Sequence, residues 1–221
     1  MVLGFFLMKK YSVKEIFYSL QGEGRHAGRA AVFVRFSGCN LWNGRESDRK
    51  QSLCSFCDTD FVGTDGEHGG KYSETELVGV IDRLWPVIPL QKKEKRMVVL
   101  TGGEPLLQVD QKLLLALHEK GYYVALETNG TRVVPDEVDW VCVSPKFGAR
   151  LVATRGSELK LIYPQEGIDP QGYLDLDFKH FYLQPKDDQL HNQNRERCVA
   201  YCLDHPLWKI SLQIHKVLGI K

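Results

Sequence analysis

The chain has 221 residues, 43% of them hydrophobic and 26% charged, with 29 basic and 28 acidic residues for a formal net charge of +1. That length suffices for one domain with a sizeable core, and the composition is that of a soluble globular protein. The charge balance argues against a nucleic-acid-binding surface, and the lack of any apolar run of transmembrane length argues against a membrane-spanning chain.

The opening "MVLGFFLMKK" carries its lysines after a short apolar run, the reverse of a secretory signal. Residues 1–10 therefore read as an N-terminal extension, with Met8 a candidate natural start, and 11–221 as a single domain. A cytoplasmic location is expected. In a reducing compartment, clustered cysteines suggest metal binding or redox chemistry rather than a disulfide framework.

Residues 31–36, "AVFVRF", are the first of six apolar, β-rich stretches; the others are 97–101, 123–128, 140–144, 159–163 and 181–185. Their near-continuous apolar character fits strands covered on both faces. Ser73 and Glu76 form a capping-box pair ahead of a helix whose Leu77, Val80, Ile81 and Leu84 share a face. A second helix is predicted from an Asp110 N-cap to a stop at Gly121, and a third over "NRERCVAYCLDH" before Pro206. Alternation of Trp208, Ile210, Leu212 and Ile214 predicts a short final strand. Strands alternating with helices imply a parallel α/β sheet, and six are too few for a closed eight-stranded barrel. The expected fold is a partial parallel (β/α)6-type barrel, open on one side, with the N-terminal segment and the last strand partly covering the opening.

Unusual residues gather where these strands end: Gly38 and Cys39, then "GGEP", "TNG", "SPK" and "QPKD". In parallel α/β folds that end of the sheet carries the active site. The segment 37–59, "SGCNLWNGRESDRKQSLCSFCDT", holds Cys39, Cys54 and Cys57. A closed zinc site needs four ligands, which His68 or a distant cysteine would have to complete. A [4Fe–4S] cluster on three thiolates leaves one iron open to a small molecule. The polar insert 40–53 reads as an accessory loop, since closing a longer loop adds little entropic cost.

Other residues allow a bland and a sharp reading. "TGGEP" is either a strand-end turn or a cofactor edge, with glycines for close approach and Glu104 for an ammonium group. Ser144 suits ribose hydroxyls and Lys146 an oxygen acceptor. "LQGEG" (20–24) reads by itself as a polar, Gly-rich turn. Arg35 points at an anion or sits in a structural ion pair. Thr59 reads as a loop cap, and His215 as a packed or exposed histidine. Cys142, Cys198 and Cys202 read as buried thiols without chemistry.

The thiol triplet after the first strand and "TGGEP" after the second together resemble the radical S-adenosylmethionine superfamily. Phe56 takes the aromatic place of its C-x3-C-x-aromatic-C pattern, while Cys39 departs from it, with fourteen residues before Cys54. With "YSLQGEG", "CDT", "TGGEPLLQ", "LETNGT", "SPK", "YLQP" and "LQIHKVLGI" in that order, residues 11–221 resemble the 7-carboxy-7-deazaguanine synthase family.

The resemblance implies ring contraction of 6-carboxy-5,6,7,8-tetrahydropterin to 7-carboxy-7-deazaguanine with release of ammonia, in queuosine and 7-deazapurine biosynthesis. It implies a [4Fe–4S] cluster on Cys39, Cys54 and Cys57, S-adenosylmethionine as the source of a 5′-deoxyadenosyl radical, and Mg²⁺ on Thr59. It assigns Gly103, Glu104, Ser144, Pro145, Lys146 and the run Gln184, Pro185, Lys186 and Asp187 to S-adenosylmethionine. It assigns Gln21, Gly22, Glu23, Arg35, Thr101, Glu127, His215 and Lys221 to the pterin. A low-potential electron donor such as flavodoxin and a homodimer are further implications. Two other functions compete: a radical S-adenosylmethionine activating enzyme for a protein partner, and a zinc-binding interaction module.

Overall fold

Alternation of side chains and the register between strands decide this fold. The structure, a computed structural model, describes residues 9–87 and 95–221. Met8 and most of the proposed extension lie outside the described residues. In chain order the elements are β1 (Tyr11–Leu20), β2 (Ala30–Phe36), β3 (Gly70–Tyr72), α1 (Glu74–Leu84), β4 (Arg96–Gly102), α2 (Gln111–Glu119) and β5 (Tyr122–Thr128). Then come β6 (Trp140–Val143), β7 (Arg155–Tyr163), β8 (Asp177–Pro185), α3 (His191–Asp204), β9 (Trp208–Ile210) and α4 (Ile214–Leu218).

The nine strands among the described residues form one sheet in the order β3-β1-β2-β4-β5-β6-β7-β8-β9. The six predicted strands are β2 and β4 to β8, and each pairs in parallel with the next. The sheet does not close, as expected of a partial barrel. At one edge β1 runs antiparallel to β2 and carries the short β3. At the other, β9 adds in parallel to β8.

On the convex face, Val32, Val34 and Phe36 of β2, Val98 and Leu100 of β4, and Val124 and Leu126 of β5 are buried against α1 and α2. The intervening residues Ala31, Phe33, Met97, Val99 and Ala125 form a second buried layer on the opposite face. That is why these strands read as continuous apolar runs.

α1 and α2 begin where their caps predict, while α3 begins at His191, three residues before the predicted segment and without a side-chain cap. Ser73 and Glu76 make a complete capping box on α1. Asp110 accepts from the Leu113 amide of α2 at 3.1 Å and from the Tyr11 hydroxyl at 2.7 Å, which also ties β1 to the helix layer. The α2 helix ends before Gly121, at φ +78°. The helical complement is smaller than a full (β/α)6 pattern: the links 129–139 and 144–154 carry no helix. Nor does the last strand extend as predicted. β9 stops at Ile210, and Ile214 begins α4 instead of ending a strand. There the Ile214 amide donates to the Gly22 carbonyl at 3.0 Å, turning the chain toward the loop after β1. Among the described residues no helix is long and apolar enough to cross a membrane.

Candidate functional site

The concave face changes character toward the carboxyl ends of the strands. Apolar residues give way to Arg35 on β2 and Thr101 beside it on β4. Glu127 on β5 follows, level with Cys142 on β6. Lys160 on β7 and Gln184 on β8 complete the row. These side chains and the loops above them line a cavity of about 390 Å³, a usual size for a small-molecule site.

Cys39, Cys54 and Cys57 all line the cavity, brought together by the loop after β2 although fourteen residues separate the first two. Gly38, at φ +87°, turns the chain out of β2. The Glu104 amide donates to the Gly38 carbonyl at 2.9 Å, and a Cβ on Gly103 would collide with that carbonyl. Gly103 is therefore glycine so that two strand ends can touch beside the thiols.

The Cys57 amide donates to the Cys54 carbonyl at 3.4 Å, closing the C-x-x-C turn. Three soft donors facing one cavity suit an iron–sulfur cluster, in which each thiolate takes a different iron. Among the described residues no three Cys, His, Asp or Glu side chains stand close enough to share one metal ion. His68 lies in the loop before β3, outside the cavity lining, and Cys142 lines the cavity next to Glu158, which does not.

The residues implied for S-adenosylmethionine divide. Ser144, Lys146 and the run Gln184 to Asp187 face the cavity. Lys146 Nζ donates to the Ser144 carbonyl at 2.6 Å and to its hydroxyl at 2.7 Å. Pro145 is buried behind them and does not line the cavity.

Glu104 also stands behind the wall, fully buried. Its Oε1 accepts from the Leu106 amide at 3.0 Å and the Thr128 hydroxyl at 2.8 Å. Its Oε2 accepts from the Asn129 amide at 2.8 Å. Burial raises its carboxyl pKa, against the lowering by those donors. Protein donors thus occupy most of its acceptor capacity, and the backbone of Gly102 and Gly103 forms the cavity wall in front of it.

The residues implied for the substrate all line the cavity. Gln21 donates to Glu127 Oε1 at 2.9 Å and accepts from the Glu23 amide at 3.1 Å. Gln213 donates to Glu23 Oε1 at 2.9 Å, and Lys160 forms an ion pair with Glu23 Oε2. Burial alone would raise the Glu23 carboxyl, but the adjacent Lys160 ammonium outweighs it and holds the group well below the usual carboxylate range.

Arg35 makes the structural ion pair, its Nε donating to Glu15 at 2.9 Å, and it also lines the cavity. His215, on α4, packs on Gly22, where a Cβ would overlap the imidazole. Lys221 lines the rim, with its carbonyl accepting from Ser19 at 2.7 Å and its Nζ paired with Glu67 at 2.7 Å. Thr59 faces the cavity between Asp58 and Asp60, whose carboxylates pair with Lys216 at 2.6 Å and Lys14 at 2.8 Å.

Sequence reasoning missed Lys160, Gln213 and Lys216. Lys160 had a signal: Glu158 and Lys160 stand two apart in an apolar strand and so share one face. Lys216 had none, because it bridges Asp58 and Asp187, distant in sequence, at 2.6 and 2.5 Å.

No protein-family model matches the chain. It is 56% identical over 211 residues to a 7-carboxy-7-deazaguanine synthase of Caulobacter vibrioides, covering 95% of this chain and 99% of that one. It is 42% identical over 215 residues to the enzyme of the same name from Bacteroides thetaiotaomicron, with 97% and 100% covered. The crystal structure of QueE from Escherichia coli superposes with a TM-score of 0.66 at 24% identity, covering 92% and 93% of the two chains, a likeness of fold.

Proposed function

This chain belongs to the 7-carboxy-7-deazaguanine synthase family, and from that premise we propose how its residues divide the reaction between the two ends of one cavity. The chain is an enzyme of queuosine biosynthesis. Its reaction is the ring contraction of 6-carboxy-5,6,7,8-tetrahydropterin to 7-carboxy-7-deazaguanine with release of ammonia. The relatives' names favour this small-molecule reaction over activation of a protein partner.

Cys39, Cys54 and Cys57 would hold a [4Fe–4S] cluster, and Ser144, Lys146 and residues 184–187 would hold S-adenosylmethionine. When bound, these groups supply one-electron chemistry that removes a hydrogen from the substrate. The chain's own residues bind, orient and shield.

Glu23 and Glu127 accept from the N–H edge of the pterin, the first kept anionic by Lys160 and the second aligned by Gln21. Arg35 keeps part of its fork free of Glu15 for the substrate carboxylate. Thr59 would hold Mg²⁺ against that same carboxylate, between the thiols and the pterin. His215 and α4 cover the pterin end and limit water entry. No disulfide joins the cysteines among the described residues, which suits a cytoplasmic enzyme; a low-potential donor such as flavodoxin and a homodimer are part of the same reading.

The observation that carries this reading is the convergence of three thiols and a carboxylate–amide cradle on one cavity. An anaerobic assay with the carboxytetrahydropterin, S-adenosylmethionine, Mg²⁺ and dithionite tests it. Formation of 7-carboxy-7-deazaguanine is expected; a cluster-loaded protein that forms none would sink the reading.

A further inference from the structure

The insert 40–53 is more than a spacer between thiols. Its Leu41 and Trp42 are buried, and Trp42 meets the buried Phe61 edge-on at 5.5 Å between ring centres. The indole N–H donates to the Arg45 carbonyl at 3.2 Å, which fixes the indole against the insert's own backbone. The Arg49 guanidinium lies 4.0 Å from the centre of that indole ring. Glu46 holds it from the outside with two bonds, 2.7 Å from Nε and 2.6 Å from Nη2. So aimed, Arg49 Nη1 donates to the Ser55 carbonyl at 3.0 Å and to the Cys57 carbonyl at 2.9 Å. One side chain thus ties two carbonyls of the C-x-x-C turn to a packed indole.

We propose that Arg49 is a positioning residue for the iron–sulfur cluster, clamping the Cys54–Cys57 turn from behind and placing a fixed positive charge beside the thiolates. The inference rests on the cluster assignment above. Two separable effects follow. The fork shape, which only arginine offers, holds the turn in the conformation that presents both thiolates. The charge favours the reduced, more negative state of the cluster and so raises its reduction potential.

The test compares wild type, Arg49→Lys and Arg49→Met, each anaerobically reconstituted, in three readouts besides activity. These are iron per chain, the rate of iron loss to a chelator, and the midpoint potential from a dithionite titration followed by electron paramagnetic resonance. Thermal melting of the iron-free proteins checks folding. Both variants should lose iron roughly tenfold faster, the factor equivalent to one charge-assisted hydrogen bond. Arg49→Met alone should also show a lower midpoint potential, and Arg49→Lys should restore it. Wild-type retention and potential in Arg49→Met would overturn the inference. A wild-type protein that binds no iron would overturn the cluster assignment beneath it, a distinct result.

Discussion

Removing the Lys160 ammonium should unfold the protein more readily at neutral pH than in mild acid. Lys160 is 4% exposed, and its ion-pair partner Glu23 has a side chain 14% exposed. Two more carboxylates, Glu127 and Glu158, act on the same ammonium. Lys160→Met keeps the apolar stem and deletes the charge, leaving Glu23 buried beside other acids. Breaking a buried pair from one side costs about 3–5 kcal/mol. For a chain of this size that corresponds to a fall of about 6–20 °C in melting temperature at pH 7.5.

The sign of the pH dependence follows from Glu23. In wild type its folded pKa lies below the unfolded value, so its contribution is present above about pH 4.3 and fades as pH falls further. Without Lys160, burial dominates and the folded pKa rises above the unfolded one. The variant then loses stability as pH climbs through about 4.3, and approaches wild type as pH falls toward it. Urea unfolding of the iron-free protein, followed by tryptophan fluorescence at pH 7.5 and 5.0, measures this. An unchanged midpoint at pH 7.5, or an equal loss at both pH values, would refute the reasoning. In the loaded enzyme, the same variant should raise the KM for the pterin.

Single alanine replacements of Cys39, Cys54 and Cys57 should each remove most cluster iron and activity, while alanine at Cys198 leaves iron intact; full iron in Cys39→Ala would show its assignment wrong. Thr59→Ala should blunt the response of turnover to added Mg²⁺ without lowering iron content, and an unaltered Mg²⁺ dependence would return Thr59 to the role of loop cap. Glu104→Ala strips acceptors from two buried amides and a hydroxyl, so it should cost roughly 3–5 kcal/mol in the iron-free protein. A normal melt in that variant would mean its carboxylate is free to serve the cofactor directly.

How much of this was legible in the sequence depended on whether a signal was local. The six parallel strands were, because burial on both faces leaves an apolar run, and so were the Ser73 and Asp110 caps, because capping is settled within one turn. β1 was not, since "YSVKEIFYSL" mixes buried Lys14 and half-buried Glu15 among apolar residues. Those charges are matched only by distant partners: Lys14 by Asp60 and Asp65, Glu15 by Arg35. The final strand was overextended for a related reason. Alternation through Ile214 is compatible with a strand, and it took the Gly22 carbonyl, nearly two hundred residues upstream, to turn the chain. Most of the expected site residues line one cavity. Glu104 differed because a carboxylate beside glycines gives no sign that the next strand's loop will supply its donors.

The bridge made by Lys216 makes the site sensitive to ionic strength. One ammonium joins Asp58, next to Cys57, to Asp187, just past the end of β8. All three side chains are between 39% and 46% exposed, so mobile ions reach them, and at physiological salt the screening length is about 8 Å. Raising the salt concentration loosens this join while leaving the apolar layers beneath the sheet untouched. The mouth of the cavity therefore responds to its ionic surroundings independently of the fold that supports it.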